Sequence, residues 1–81
     1  MSKLSKRKKI FKLLQQISQN VDKPYNFTAK TSKGFVRVEG FPGDGILYIS
    51  NLDTDENWAG THIAAVNHLE KLKLDLDSIE S

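Results

Sequence analysis

Residues 25–50 alternate polar and apolar side chains in steps of two and are cut by turn formers at two places. No other feature of the chain constrains its fold as tightly. Tyr25, Phe27 and Ala29 alternate with Asn26, Thr28 and Lys30, the period of a half-buried strand over residues 25–31. Ser32, Lys33 and Gly34 then form a short turn in which Gly34 is free to take a positive φ. Val36 and Val38 alternate with Arg37 and Glu39 in a second strand over residues 35–39. The run from Gly40 through Phe41, Pro42, Gly43 and Asp44 to Gly45 is dense in turn residues. Residues 46–50 are a third, more continuously apolar strand. Tight connections between three strands predict an antiparallel meander.

Amphipathic stripes flank this meander. Ile10, Leu14, Ile17 and Val21 are spaced four, three and four apart, so they share one helical face, widened by Leu13 and Phe11. Lys8, Lys12, Gln15, Gln16 and Gln19 project from the opposite side, with Lys9 at the flank. The spacing predicts a helix from a cap at Ser5 to about residue 20, ended by Pro24. Downstream, Asp53 and Thr54 offer N-caps, and Asp53 and Glu56 have capping-box spacing. A second helix is expected from residue 55 or 61 to about residue 72. Trp58, Ala65, Leu69, Leu72 and Leu76 form its apolar face, with Val66 at the edge and Gly60 weakening its first turn. The expected fold is α+β in the order α-β-β-β-α: a three-stranded antiparallel meander with two helices packed on one face. The other face is expected to be polar, carrying Asn26, Thr28, Lys30, Arg37 and Glu39.

Eighty-one residues make a single small domain, with residues 1–5 and 77–81 expected to fray. A core this size supplies only about 3–5 kcal/mol. There is no cysteine to add a disulfide, so self-association is the cheapest remaining aid and a homodimer is an open option. No apolar run reaches signal-peptide length or the roughly 18 residues of a membrane span. The expected location is cytoplasmic.

The charge is divided end to end. Residues 1–37 carry ten Lys and Arg against one acid, a net of +9; residues 38–81 carry two Lys against nine acids, a net of −7. Lys6, Arg7, Lys8, Lys9 and Lys12 supply the cations on a rigid element that phosphate binding needs. Lys30, Lys33 and Arg37 are expected to extend that surface along the first hairpin. Asp53, Asp55, Glu56, Glu70, Asp75 and Asp77, with Trp58 as an anchor, are the candidates for presentation to a basic protein partner.

The order α-β-β-β-α resembles double-stranded-RNA-binding domains in topology alone. Those domains grip phosphate with a basic start to the second helix. Here that position reads Asp53, Thr54, Asp55, Glu56, Asn57 and would repel RNA. Asp53, Asp55 and Asn57 fit the first three positions of a calcium loop, but Trp58 and Ala64 stand where Gly and Glu are needed. His62 and His68 are six apart, not the spacing of a paired metal site. No nucleophile, base and oxyanion donor come together. The chain therefore reads as a non-enzymatic binding protein without cofactor or metal. First comes a protein-interaction module, adaptor or inhibitor. The alternative is a nucleic-acid-binding protein using the basic helix, and the second alternative an anionic membrane-surface binder.

Overall fold

The computed structural model describes residues 3–19, 25–41 and 45–80. Helix α1 (Lys3–Gln19) precedes four strands, β1 (Tyr25–Thr31), β2 (Gly34–Gly40), β3 (Leu47–Asn51) and β4 (Asn57–Gly60). Helix α2 (His62–Lys71) and a short 3-10 turn, η1 (Leu76–Ser78), complete the chain. The strands form one antiparallel sheet in the order β1-β2-β3-β4. Expectation and structure agree on the α+β class and on both helices packing against one face; the sheet has four strands instead of three. Helix α1 begins two residues ahead of the expected cap at Ser5, within the scatter of helix ends. Val21 and Pro24 lie outside the described residues.

The inward set is the one the alternation picks out. Phe27 and Ala29 from β1, Val36 and Val38 from β2, and Leu47 and Ile49 from β3 are all buried. They meet Ile10, Leu14 and Ile17 of α1 and Ala65, Val66 and Leu69 of α2. Ile10, Leu14 and Ile17 of the α1 stripe are thus buried in the core, with Phe11 and Leu13 partly buried against it. Gly40 sits directly beneath Ile17, where a Cβ would collide with its Cγ2 methyl; glycine permits this close approach of helix to strand.

The fourth strand corrects the expected start of the second helix. Asn51 ends β3, and its Oδ1 accepts from the amides of Asp53 (2.9 Å) and Thr54 (3.0 Å). Asp55 takes the left-handed conformation at φ 63°, which Asp tolerates better than most residues. The Asn51 amide then donates to the Glu56 carbonyl at 2.8 Å. Asp53 and Thr54 therefore form a hairpin turn and not a helix cap. Trp58 belongs to β4, opposite Ile49. Local capping signals lose here because the side chain of Asn51 satisfies the same turn amides and lets Trp58 join the sheet. Helix α2 starts after Thr61, whose side chain makes no capping hydrogen bond.

Beyond α2 the chain returns to β1. Leu74 is fully buried. The Asp75 amide donates to the Lys30 carbonyl, and Thr28 and Glu80 exchange a pair of backbone bonds, all at 2.8 Å. The Lys30 amide donates to Ser78 Oγ at 2.7 Å. Residues 75–80 thus cover the outer edge of β1 and close it to further strand pairing.

Leu14 lies at 0 % exposure between the layers. Leu14→Ala should cost about 2–5 kcal/mol, close to the whole stability of a domain this small. Chemical denaturation with circular dichroism should find this variant largely unfolded, while Lys12→Ala on the exposed side of the same helix leaves the midpoint nearly unchanged.

Candidate interaction face

The side of the sheet away from the helices is a continuous surface across all four strands. Register places its residues in rows across the strands. One row runs Thr28, Arg37, Ser50, Asn57; the next runs Asn26, Glu39, Tyr48, Ala59. Lys30 lies opposite Phe35 at one end, where the Leu52 amide donates to the Phe35 carbonyl at 2.8 Å. At the other end Phe41 meets Tyr48 edge to face, with centroids 5.6 Å apart. Phe35, Phe41 and Leu52 remain 48 %, 45 % and 47 % exposed. Glu39, Phe41, Tyr48, Ser50 and Ala59 line a shallow depression of about 390 Å³.

This face contains the expected polar residues, but large apolar ones as well. The alternation of Val36 and Val38 with Arg37 and Glu39 extends to their neighbours. Phe35 shares the odd register of Arg37 and Glu39, so it turns outward when the valines turn inward; Phe41, one residue past β2, has the same parity and is also exposed. That parity was the available signal.

The basic residues do not form one surface. Lys8, Lys9 and Lys12 are exposed on α1, while Lys6 and Arg7 are half-buried. Arg7 Nη1 donates to Glu70 Oε1 at 3.2 Å, joining the basic and acidic halves of the chain between α1 and α2. Both side chains are over a third exposed, so the pair contributes no more than about 1 kcal/mol. Lys30 and Arg37 point from the opposite side of the sheet, and Lys33 sits in the β1–β2 turn. The hairpin therefore does not extend the α1 cluster.

The acids are dispersed too, and several serve the backbone. Asp53 Oδ2 accepts the Phe35 amide at 2.8 Å, tying the β3–β4 turn to β2. Glu56 Oε1 accepts from Thr54 Oγ1 at 3.1 Å. Asp75 Oδ1 accepts the Asp77 amide at the start of η1. Asp55 and Asp77 are exposed. Asp53, Asp55 and Glu56 stand in the β3–β4 turn, Glu70 on α2 and Asp75 and Asp77 beside β1, so they do not make a single acidic helix.

Trp58 lines a second, smaller recess of about 170 Å³ between α2 and the sheet, floored by Val36, Ile49 and Leu72 and rimmed by Lys33 and Glu56. Its indole lies over Gly60, where a Cβ would crowd the ring. It stacks on His68 with centroids 4.6 Å apart and planes 7° apart. His62 makes the matching link to α1: its Nε2 donates to the Phe11 carbonyl at 3.1 Å, and the rings stack at 4.4 Å.

No family model, curated protein or solved structure matches the chain. No helix among the described residues is long and apolar enough to cross a membrane.

Burial pushes the His68 pKa below its ordinary value of 6.5, aided by the nearby charges of Lys71 and Lys33. The unfolded chain therefore takes up a proton at a higher pH than the folded one, so folding stability should fall as pH drops below about 6.5. Urea titrations followed by Trp58 fluorescence should give a lower midpoint at about pH 5 than at neutral pH. His68→Gln should flatten that slope; an unchanged slope would place the titrating group elsewhere.

Proposed function

We propose that this chain is a small non-enzymatic protein-interaction module that meets its partner with the uncovered face of the sheet. The exposure of Phe35, Phe41 and Leu52 around Tyr48 and Arg37 carries this reading. An antiparallel sheet open to water ordinarily shows polar side chains on that side; here exposed apolar groups stand in pairs, Phe35 with Leu52 at one end and Phe41 with Tyr48 at the other, which supports a recognition surface. Tyr48 and Arg37 within the face and phenylalanines at its two ends are residue types enriched in protein interfaces. The reading moves the contact surface away from the acids, four of which are engaged in the fold's own hydrogen bonds, at Asp53, Glu56, Glu70 and Asp75. A cysteine-free chain suits a reducing, cytoplasmic setting.

The face is a poor match for a polyanion. It has Lys30 and Arg37 against Glu39, while Lys8, Lys9 and Lys12 are on the other side of the molecule. Those three lysines support the second reading, nucleic-acid binding by α1. They are exposed, and none takes part in an ion pair among the described residues.

Photo-crosslinking tests the first reading. Benzoylphenylalanine in place of Phe35 should give adducts with protein in the native cell, whereas the same group in place of Lys8 should not. Adducts from position 8 with none from position 35 would overturn the assignment. For the second reading, titration of labelled single- and double-stranded DNA and RNA at two salt concentrations decides. Salt-sensitive binding that a Lys8→Gln, Lys9→Gln, Lys12→Gln triple variant abolishes would establish α1 as the site. Absence of binding at low salt would remove it.

A further inference from the structure

The open face is self-complementary along β2. Its outward side chains run Phe35, Arg37 and Glu39, and the exposed Phe41 follows one residue beyond the end of the strand, an apolar–cation–anion–apolar order with Val38 at its centre. Strand rise puts Arg37 and Glu39 about 3.4 Å on either side of that centre and the phenylalanines about 10 Å out. Arg37 and Glu39 form no ion pair within the chain among the described residues, so both charges are available to a partner.

We infer that the partner of this face is a second copy of the chain, packed sheet on sheet about a two-fold axis that crosses β2 opposite Val38. This rests on the sheet face being the binding surface, as proposed above. Such an axis reverses the strand direction between copies. It brings Arg37 over Glu39 of the partner copy twice, and Phe35 over Phe41 twice, as an isologous contact requires. The row Thr28, Arg37, Ser50, Asn57 then faces the row Asn26, Glu39, Tyr48, Ala59. No like charges face each other within these two rows, and the small Ser50 stands opposite the bulky Tyr48. Paired sheets pack about 10 Å apart with an angle near −30°, which side chains of this size fill. The helix side shows no such arrangement: most of its apolar residues are in the core, and the exposed Ile63 of α2 stands apart from them. The sheet cannot instead extend through β1, whose edge the chain's own tail covers.

Sedimentation velocity on the full chain tests the pairing. The wild type should sediment at twice the chain mass. Arg37→Glu makes both β2 charges acidic and Glu39→Arg makes both basic, so each variant alone should sediment as a monomer. An equimolar mixture of the two should recover the dimer, because opposite charges then face each other at both contacts. Circular dichroism identical to wild type checks that the exposed substitutions leave the fold intact. A wild type that stays monomeric at every concentration overturns the pairing, as do single variants that dimerise normally or a mixture that fails to recover. The crosslinker at position 35 separates this failure from failure of the broader reading. Adducts of twice the chain mass support the second copy. Adducts only with other proteins overturn it while leaving the face as a protein-binding surface. No adducts at all overturn both.

Discussion

Both helices of this protein need the same thing, an apolar surface on which to bury a stripe, and the sheet supplies only one. Phe27, Val36, Val38, Leu47 and Ile49 all lie on one side of the strands, so α1 and α2 pack side by side on that side in a single layer. The rest of the architecture follows from this. A two-layer domain of 81 residues has one core, and a second sheet face that the helices leave uncovered. Strand parity then fixes which side chains occupy it.

The connections at one end of the sheet hold that arrangement in register. Asn51 is only 9 % exposed. Its amide accepts from the turn after β3 and donates from Nδ2 to the Lys33 carbonyl at 3.2 Å. One side chain thus couples the β1–β2 and β3–β4 turns, and Asp53 adds its bond to the β2 backbone. Acidic residues that look like a binding patch in the linear sequence are in part turn-builders. Trp58, placed on β4 by the same turn, packs against α2 through His68, so the strand and the helix that follows it are clamped together. The charge division likewise resolves partly inside the molecule, through Arg7 and Glu70. Its cations otherwise end up on opposite sides of the sheet.

Much of the fold is legible because it depends on short-range periodicity. The three strands at residues 25–51 and the stripe Ile10, Leu14, Ile17 are recoverable from spacing alone. The fourth strand is not. Four residues, Asn57–Gly60, are too few for a period, and the capping residues before them fit a helix start equally well. Val66 and Leu74 illustrate the same limit: whether a residue at the edge of a stripe or beyond the helix is buried depends on what the chain places against it. The uncovered sheet face is half legible in the sequence. Asn26, Thr28, Lys30, Arg37 and Glu39 were assigned to it, but Phe35 and Phe41 were absorbed into strand and turn.

The sequence by itself determined the elements that neighbours in the chain can specify: where α1 and the first three strands run, which of their residues turn inward, and that the net charge is split between halves. Only the tertiary structure decided what those elements present to the outside. It joined Asp53 to β2, took Arg7 into a pair with Glu70, sent Lys30 and Arg37 away from Lys8 and Lys12, and left two phenylalanines in water. The physical reason is that periodicity encodes a side chain's direction relative to its own strand or helix. Its neighbours across 20 or more residues are set by pairing register and layer packing, which no local spacing records.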